Sequence, residues 1–204
     1  MITLELTSRC RLACPKCART NLKDLKIVDI TLEQAEKIAS TMKQRVIAFT
    51  GNYGDCIYHP QLFEIVKAFK RHGKNVQIDT NGSGKKDDWW ETLYSLLDDK
   101  DLVVFAIDGF NETVGMYKKN FTQKDFDQAL RMMQLGKKMG IKIIWNFIPF
   151  NFNEHQIPQV AEFCIENGIQ LHIKKSRLWN RDDPLMPKNK KLISSKSMHL
   201  FTLP

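Results

Sequence analysis

No stretch of the 204 residues approaches the roughly 18 consecutive apolar residues that a helical membrane span requires. The first residues lack the basic-then-apolar layout of a secretory leader and open directly into an alternating pattern. A disulfide framework is missing too. There are five cysteines, and three of them crowd into one short stretch, which is not how stapled secreted domains space theirs. These absences together make a reducing cytoplasm the expected compartment and a membrane an unexpected partner. No second cysteine cluster follows the first. The net charge of +8 is not spread over the chain: from Lys174 onward, eight Lys or Arg stand against Asp182 and Asp183, a balance of +6 that leaves +2 for the 173 residues before it. The excess therefore reads as a solvated basic tail ahead of a phosphate-binding arm, and nucleic acid is the less favoured partner.

Three thiols lie within the eight residues Cys10-Arg11-Leu12-Ala13-Cys14-Pro15-Lys16-Cys17, directly after the apolar-alternating run Ile2 to Leu6. So tight a loop brings three sulfurs together at little entropic cost. Soft thiolates select iron–sulfur clusters, zinc or copper(I). A cubane cluster usually takes four cysteines, so three local ones leave one iron open to a substrate or cofactor. Zinc is the alternative, because structural zinc sites close with a fourth protein ligand and Cys56 or His59 is available to supply it. Cys56 and Cys164 otherwise read as buried structural thiols.

Strand and helix patterns then alternate. Thr31 with Gln34 forms a capping box ahead of the helical stripe Leu32, Ala35, Ile38, Ala39 and Met42. The strand Val46 to Thr50 leads through Gly51-Asn52-Tyr53-Gly54-Asp55 to a helix with Pro60 as its expected first residue, ending at Gly73. Val76 to Thr80 is the next strand, followed by the turn Asn81-Gly82-Ser83-Gly84 and a helix from Trp89 to Leu97. Leu102 to Ile107, Ile141 to Ile148 and Ile169 to Ile173 complete six strands, with helices at 125–139 and 158–167 between them. Continuously apolar strands linked by helices belong to a parallel α/β sheet. Six units are too few for an ordinary eight-stranded barrel, and the alternation itself does not separate a doubly wound sheet from an open barrel. Trp89, Trp90, Trp145 and Trp179 are scattered, so core or helix cover is expected of them ahead of base stacking.

The C-x3-C-x2-C run, set in Glu5-Leu6-Thr7-Ser8-Arg9-Cys10 and Cys14-Pro15-Lys16-Cys17-Ala18-Arg19, resembles the cluster loop of the radical SAM superfamily. It is most similar to the branch that includes molybdenum-cofactor and peptide-modifying members. The resemblance implies an incomplete (β/α)6 TIM-like barrel over residues 1–179, with 180–204 as a basic C-terminal tail. It implies a [4Fe-4S] cluster on Cys10, Cys14 and Cys17, with S-adenosyl-L-methionine chelated to the open iron. A low-potential electron donor such as flavodoxin or ferredoxin would drive cleavage to a 5′-deoxyadenosyl radical, which abstracts hydrogen from a peptide or small-metabolite substrate.

Gly51, Asn52, Tyr53, Gly54 and Asp55 resemble the family's glycine-rich second-strand motif, which holds the methionine amino group. Thr80 and Asn81 match the third-strand polar residues of the cofactor pocket. Ala106-Ile107-Asp108-Gly109 resembles the Ser-x-Asp-Gly motif with alanine in place of serine, leaving Asp108. Asn146, with Asn151, brackets the fifth strand end, where relatives contact ribose or adenine. Lys16 stands where the family often has a large apolar residue. The loop from Phe110 to Thr122 and the tail after Trp179 are candidate covers of the site. The competing function is a non-catalytic zinc- or iron–sulfur-binding protein, associated with nucleic acid through its tail.

Overall fold

The computed structural model describes residues 1–176, 183–193 and 198–199. Six strands, β1 (Ile2–Leu4), β2 (Val46–Phe49), β3 (Asn75–Thr80), β4 (Leu102–Ala106), β5 (Lys142–Phe147) and β6 (Gln170–Ile173), pair in chain order and all in parallel. A short strand β7 (Met198–His199) runs antiparallel to β6, and β1 and β7 are the two ends of the sheet, so it does not close. Helices α1 (Ala18–Asn21) and α2 (Leu32–Thr41) follow β1. Then α3 (Leu62–Arg71), α4 (Asp87–Ser95), α5 (Gln123–Lys138) and α6 (Ile157–Glu166) follow β2 to β5 in turn. A doubly wound sheet reverses its strand order at a switch point; here the order runs from 1 to 6 without reversal, the path of a partial barrel. After β6 the described residues hold a 3-10 turn, Lys190–Ile193, and no α-helix.

The alternation along each strand sorts side chains between helices and lumen. Phe49 packs on Phe69 of α3, Phe105 on Trp90 of α4, and Trp145 on both Phe126 of α5 and Phe163 of α6. The residues of opposite parity, among them Asp79, Val104, Ala106 and Asn146, face the other way, and register places Asp79 beside Val104 and Ala106 beside Asn146. Apolar bulk thus goes to the helices and polarity to the upper lumen. At the lower end, wholly buried Asp101 ties three elements together. It accepts from Val76 N at 2.7 Å, from Asp98 N at 2.9 Å and from Lys70 Nζ of α3 at 2.6 Å.

Boundaries follow local chemistry. Thr31 Oγ1 accepts from Gln34 N at 3.1 Å while the Gln34 side chain accepts from Thr31 N at 2.8 Å, the expected capping box. α3 begins at Leu62, two residues after Pro60, because a 3-10 turn at Cys56–Tyr58 and the His59–Gln61 link come first. Trp90 and Trp145 are core residues, Trp89 is half-buried against Phe63, and Trp179 lies outside the described residues. Cys56 and Cys164 are buried, and burial pushes the Cys164 thiol up to about 12.

The solvated tail expected from the charge count is docked where it is described. Asn151 donates through N to Leu185 O (3.1 Å) and through Nδ2 to Pro184 O (2.7 Å). The Glu154 carboxylate accepts from Lys188 N and Asn189 N, each at 3.0 Å, and Leu192 is buried. Asp183 is buried and pairs with Lys16 of the cysteine loop. The expected boundary between 179 and 180 lies outside the described residues.

Candidate active site

The cysteine loop is shaped by its own backbone and by the chain around it. Cys17 N donates to Cys14 O at 3.0 Å, Ala13 N to Lys119 O at 3.1 Å, and the Arg19 guanidinium to Ser8 O and Leu12 O. Leu12 is buried and anchors the loop in the core. All three thiols are free and half-buried. Cys10 and Cys14 open on a cavity of about 250 Å³ at the C-terminal strand ends. Cys17 sits off this cavity, its Sγ 3.7 Å from Asn52 O. Burial pushes the Cys10 thiol up to about 11, against a backbone hydrogen bond from Leu12. Cys14 is raised for the same reason, against the charge of Lys118. Both are protonated near neutral pH without a metal, so a thiolate-binding centre has to displace protons.

Asp55 organises the opposite wall. Its Oδ2 accepts from Thr80 Oγ1 (3.0 Å), Asn81 N (2.7 Å) and Asn81 Nδ2 (2.5 Å), and Oδ1 accepts from Ile57 N (3.2 Å). Burial nevertheless pushes its carboxyl up to about 6, with those hydrogen bonds opposing. Asn81 Nδ2 also lies 3.6 Å from Cys10 Sγ, so the Asp55 network reaches the first thiol. Gly82 turns the chain there at φ +76°, a conformation that favours glycine.

The glycine motif is divided by close packing. A Cβ on Gly54 would sit 2.0 Å from Thr7 O, and one on Gly51 would sit 2.5 Å from Gly54 O. Both glycines line the cavity, as do Asp55, Thr80, Asn81 and Asn146 of the expected set. Asn52 and Tyr53 do not: Glu5 Oε1 accepts from Tyr53 N at 2.6 Å, both residues are exposed, and Tyr53 faces another surface hollow. Asp108 is also off the cavity. Its Oδ1 accepts from Ile148 N at 3.0 Å and its Oδ2 lies 3.3 Å from Lys118 Nζ. Asn151 holds the tail instead.

Lys118 and Asp79, which line the cavity, were not among the expected site residues. Burial works against the Lys118 charge, yet Asp108 and Cys14 outweigh it and hold its pKa above the ordinary lysine value. Asp79 is pushed up by burial, against hydrogen bonds from Gln77 and Thr50. Asn146 Oδ1 is buried with no hydrogen-bond partner. Such an atom is costly unless something fills its acceptor, and it belongs to a residue on the cavity wall.

A structural zinc site gathers four donors about 2.0–2.3 Å from one ion. Among the described residues no three His, Cys, Asp or Glu side chains gather around one point in that way. The two candidate fourth ligands are also engaged. Cys56 Sγ lies 3.6 Å from Asp79 O, His59 Nε2 is 2.9 Å from Ile30 O, and its Nδ1 accepts from Gln61 N. A cubane takes its thiolates on separate irons, and three thiols strung along one loop fit that requirement.

The radical SAM superfamily model matches residues 4–164. The chain is 25% identical over 174 residues to the pre-heme d1 synthase of Dinoroseobacter shibae, covering 83% of this chain and 41% of that protein. It is 26% identical over 203 residues to the tungsten-containing aldehyde ferredoxin oxidoreductase cofactor-modifying protein of Pyrococcus furiosus, covering 90% and 52%. The chain therefore spans about half the length of these curated relatives, or less. Streptococcus suis SuiB bound to S-adenosylmethionine superposes with a TM-score of 0.74 at 16% identity, over 94% of this chain and 45% of that one. The anSMEcpe structure with AdoMet and the Kp18Cys peptide gives 0.66 at 17%, over 93% and 56%. At such identities the likeness is one of fold. Sequence and fold agree on one lineage: the chain belongs to the radical SAM superfamily.

Proposed function

We infer that the chain is a radical SAM enzyme that holds a [4Fe-4S] cluster on Cys10, Cys14 and Cys17 and takes S-adenosyl-L-methionine into the strand-end cavity. The observation that carries the reading is that two thiols of the motif share one cavity with Asn146, whose buried Oδ1 has no partner, and with a half-buried cation, Lys118. When bound, the cluster supplies the electron for reductive cleavage of the sulfonium, giving a 5′-deoxyadenosyl radical that takes hydrogen from a substrate.

The protein's own part is positioning and exclusion. Gly51 and Gly54 let the backbone approach the cofactor closely, while Asp55 holds Thr80 and Asn81 in place. The Asn81 amide beside Cys10 Sγ tunes the centre, since hydrogen bonds to cluster sulfurs shift its potential. Lys118, held by Asp108 beside Ala106, offers a cation to the methionine carboxylate where the family motif would offer a serine hydroxyl. Asp108 thus acts through Lys118. Phe110 and Phe121 are buried and Tyr117 packs on Phe150, so the loop they share keeps water from one side of the cavity.

A peptide substrate is supported by the fold's presence in SuiB bound to its precursor peptide SuiA and in anSMEcpe with bound peptides, with a small metabolite as the alternative. The electron comes from a flavodoxin- or ferredoxin-like donor in a reducing compartment, and residues 1–179 form the catalytic core. No helix among the described residues is long and apolar enough to cross a membrane. Anaerobic reconstitution tests the reading without turnover. The parent should take up about four irons and four sulfides per chain, and its reduced-cluster EPR signal should change on adding S-adenosylmethionine. Cys14→Ala should lose both. Stoichiometric zinc, with no iron–sulfur absorbance, would overturn the proposal.

A further inference from the structure

A second cavity, about 500 Å³, lies outside the barrel between the first turns of α4 and α5. It shares no lining residue with the strand-end cavity. Five cations border it, Arg11, Lys85, Lys86, Lys124 and Arg131, against Asp87 and Asp125. Both carboxylates are taken, Asp125 by Arg11 at 3.1 Å and Asp87 by Arg131 at 3.4 Å. The three lysines have no carboxylate partner among the described residues. Lys86 and Lys124 are exposed, and Lys85 Nζ stands 5.4 and 4.8 Å from the ring centroids of Tyr58 and Trp89, which hold it at the rim.

One wall of this cavity is the cysteine loop itself. Arg11 follows Cys10 in the chain; its guanidinium donates to Asn120 O and Asp125, and its carbonyl accepts from Asn120 Nδ2 at 3.2 Å. A positively charged hollow therefore backs onto the residue next to the one that carries the first thiol, with no lining residue in common with the reaction cavity. A substrate seated there would lie outside the cavity that Cys10 and Cys14 line. A single-stranded base has no open ring to stack on there, because the Trp89 ring is covered by Lys85 and Phe63. What this position and charge suit is a partner that delivers only an electron.

We propose that the Lys85–Lys86–Lys124 rim is the docking surface for an acidic, low-potential one-electron donor protein of the flavodoxin or ferredoxin class. This rests on the function inferred above. One electron leaves the donor and enters the centre behind Cys10, with no atom transferred. Complementary charge of this kind steers encounter and makes affinity fall with salt.

The test uses the reconstituted protein and its triple variant Lys85→Glu/Lys86→Glu/Lys124→Glu, with purified flavodoxin and ferredoxin as probes. Calorimetry at low and high salt should show donor affinity reduced about tenfold or more in the variant, with the salt dependence flattened. Equal affinities in parent and variant would overturn the proposal, as would an oligonucleotide saturating these lysines while neither donor binds. Formation of 5′-deoxyadenosine separates the two readings. Dithionite bypasses docking, so it should drive parent and variant alike, whereas donor-driven product should fall about tenfold or more in the variant alone. No product from the parent with dithionite would sink the inferred function and leave the binding result to decide the docking surface.

Discussion

Asp55 should make the apoprotein lose stability as pH rises from about 4 to about 6, the reverse of the behaviour of a salt-bridged carboxylate. In the unfolded chain its carboxyl titrates near 3.9. In the folded protein burial holds it at about 6, although Asn81, Ile57 and Thr80 donate to it. Below pH 4 the group is protonated in both states and adds no pH dependence. Between the two values the unfolded chain releases the proton while the folded one keeps it, so each pH unit removes about 1.4 kcal/mol of stability. A gap of about two units amounts to about 3 kcal/mol by pH 7, and the group is buried enough that solvent screening removes little of it. Urea unfolding of the apoprotein and of Asp55→Asn across pH 4 to 7.5 isolates this contribution. The asparagine keeps an acceptor oxygen but does not titrate, so its destabilisation is constant with pH. Other carboxylates cancel in the comparison. The parent's advantage over the variant should therefore shrink by about 3 kcal/mol between pH 4 and 7. A difference that stays flat across that range would refute the assignment of Asp55 as a buried carboxyl held by donors too few to offset its burial.

Three further outcomes follow from the geometry. Lys118→Met should weaken S-adenosylmethionine binding about 10- to 100-fold by calorimetry, as loss of a charged hydrogen bond does, with iron content unchanged and Lys118→Arg retaining much of the affinity; parent-like binding in the methionine variant would remove Lys118 from the site. Gly54→Ala drives a Cβ into Thr7 O and should cost about 1–3 kcal/mol or more, read as a lowered Tm together with loss of cluster uptake, and an unchanged Tm would show that the loop yields freely. Asp101→Ala strands the N–H groups of Val76 and Asp98 and the Lys70 ammonium; a loss of about 3 kcal/mol is expected from the urea midpoint, and less than about 1 would mean that water replaces the carboxylate.

The parts that local pattern encodes were legible in the sequence. The cysteine spacing, the Thr31–Gln34 box and the alternation of apolar strands with amphipathic helices located β1 to β6 and α2 to α6 to within a few residues. Asp79 was legible in principle, because Gln77 and Asp79 alternate with Val76 and Ile78 and that period assigns them to the lumen. Asn52 and Tyr53 were read with their glycine neighbours as one motif; they turn outward because Glu5, distant in sequence, takes the Tyr53 N–H. Lys118 left no local signal, since it lies in an aperiodic loop ten residues past Asp108 and its position depends on a fold-level pairing. The same holds for the tail. Charge counting makes it solvated, but Asp183 meets Lys16 across the fold, so the lysine that departs from the family pattern has a partner more than 160 residues away. Alternation also leaves open whether six units make an open barrel or a doubly wound sheet; the unreversed strand order decides it.

The most direct measurement is of 5′-deoxyadenosine after anaerobic reconstitution with iron and sulfide, reduction with dithionite and addition of S-adenosylmethionine. The parent should form it, and Cys10→Ala/Cys14→Ala/Cys17→Ala should form none. Product from the triple variant, or none from a parent whose cluster and cofactor binding have been verified with peptide and small-metabolite candidates present, would contradict the assignment of radical chemistry to this cavity.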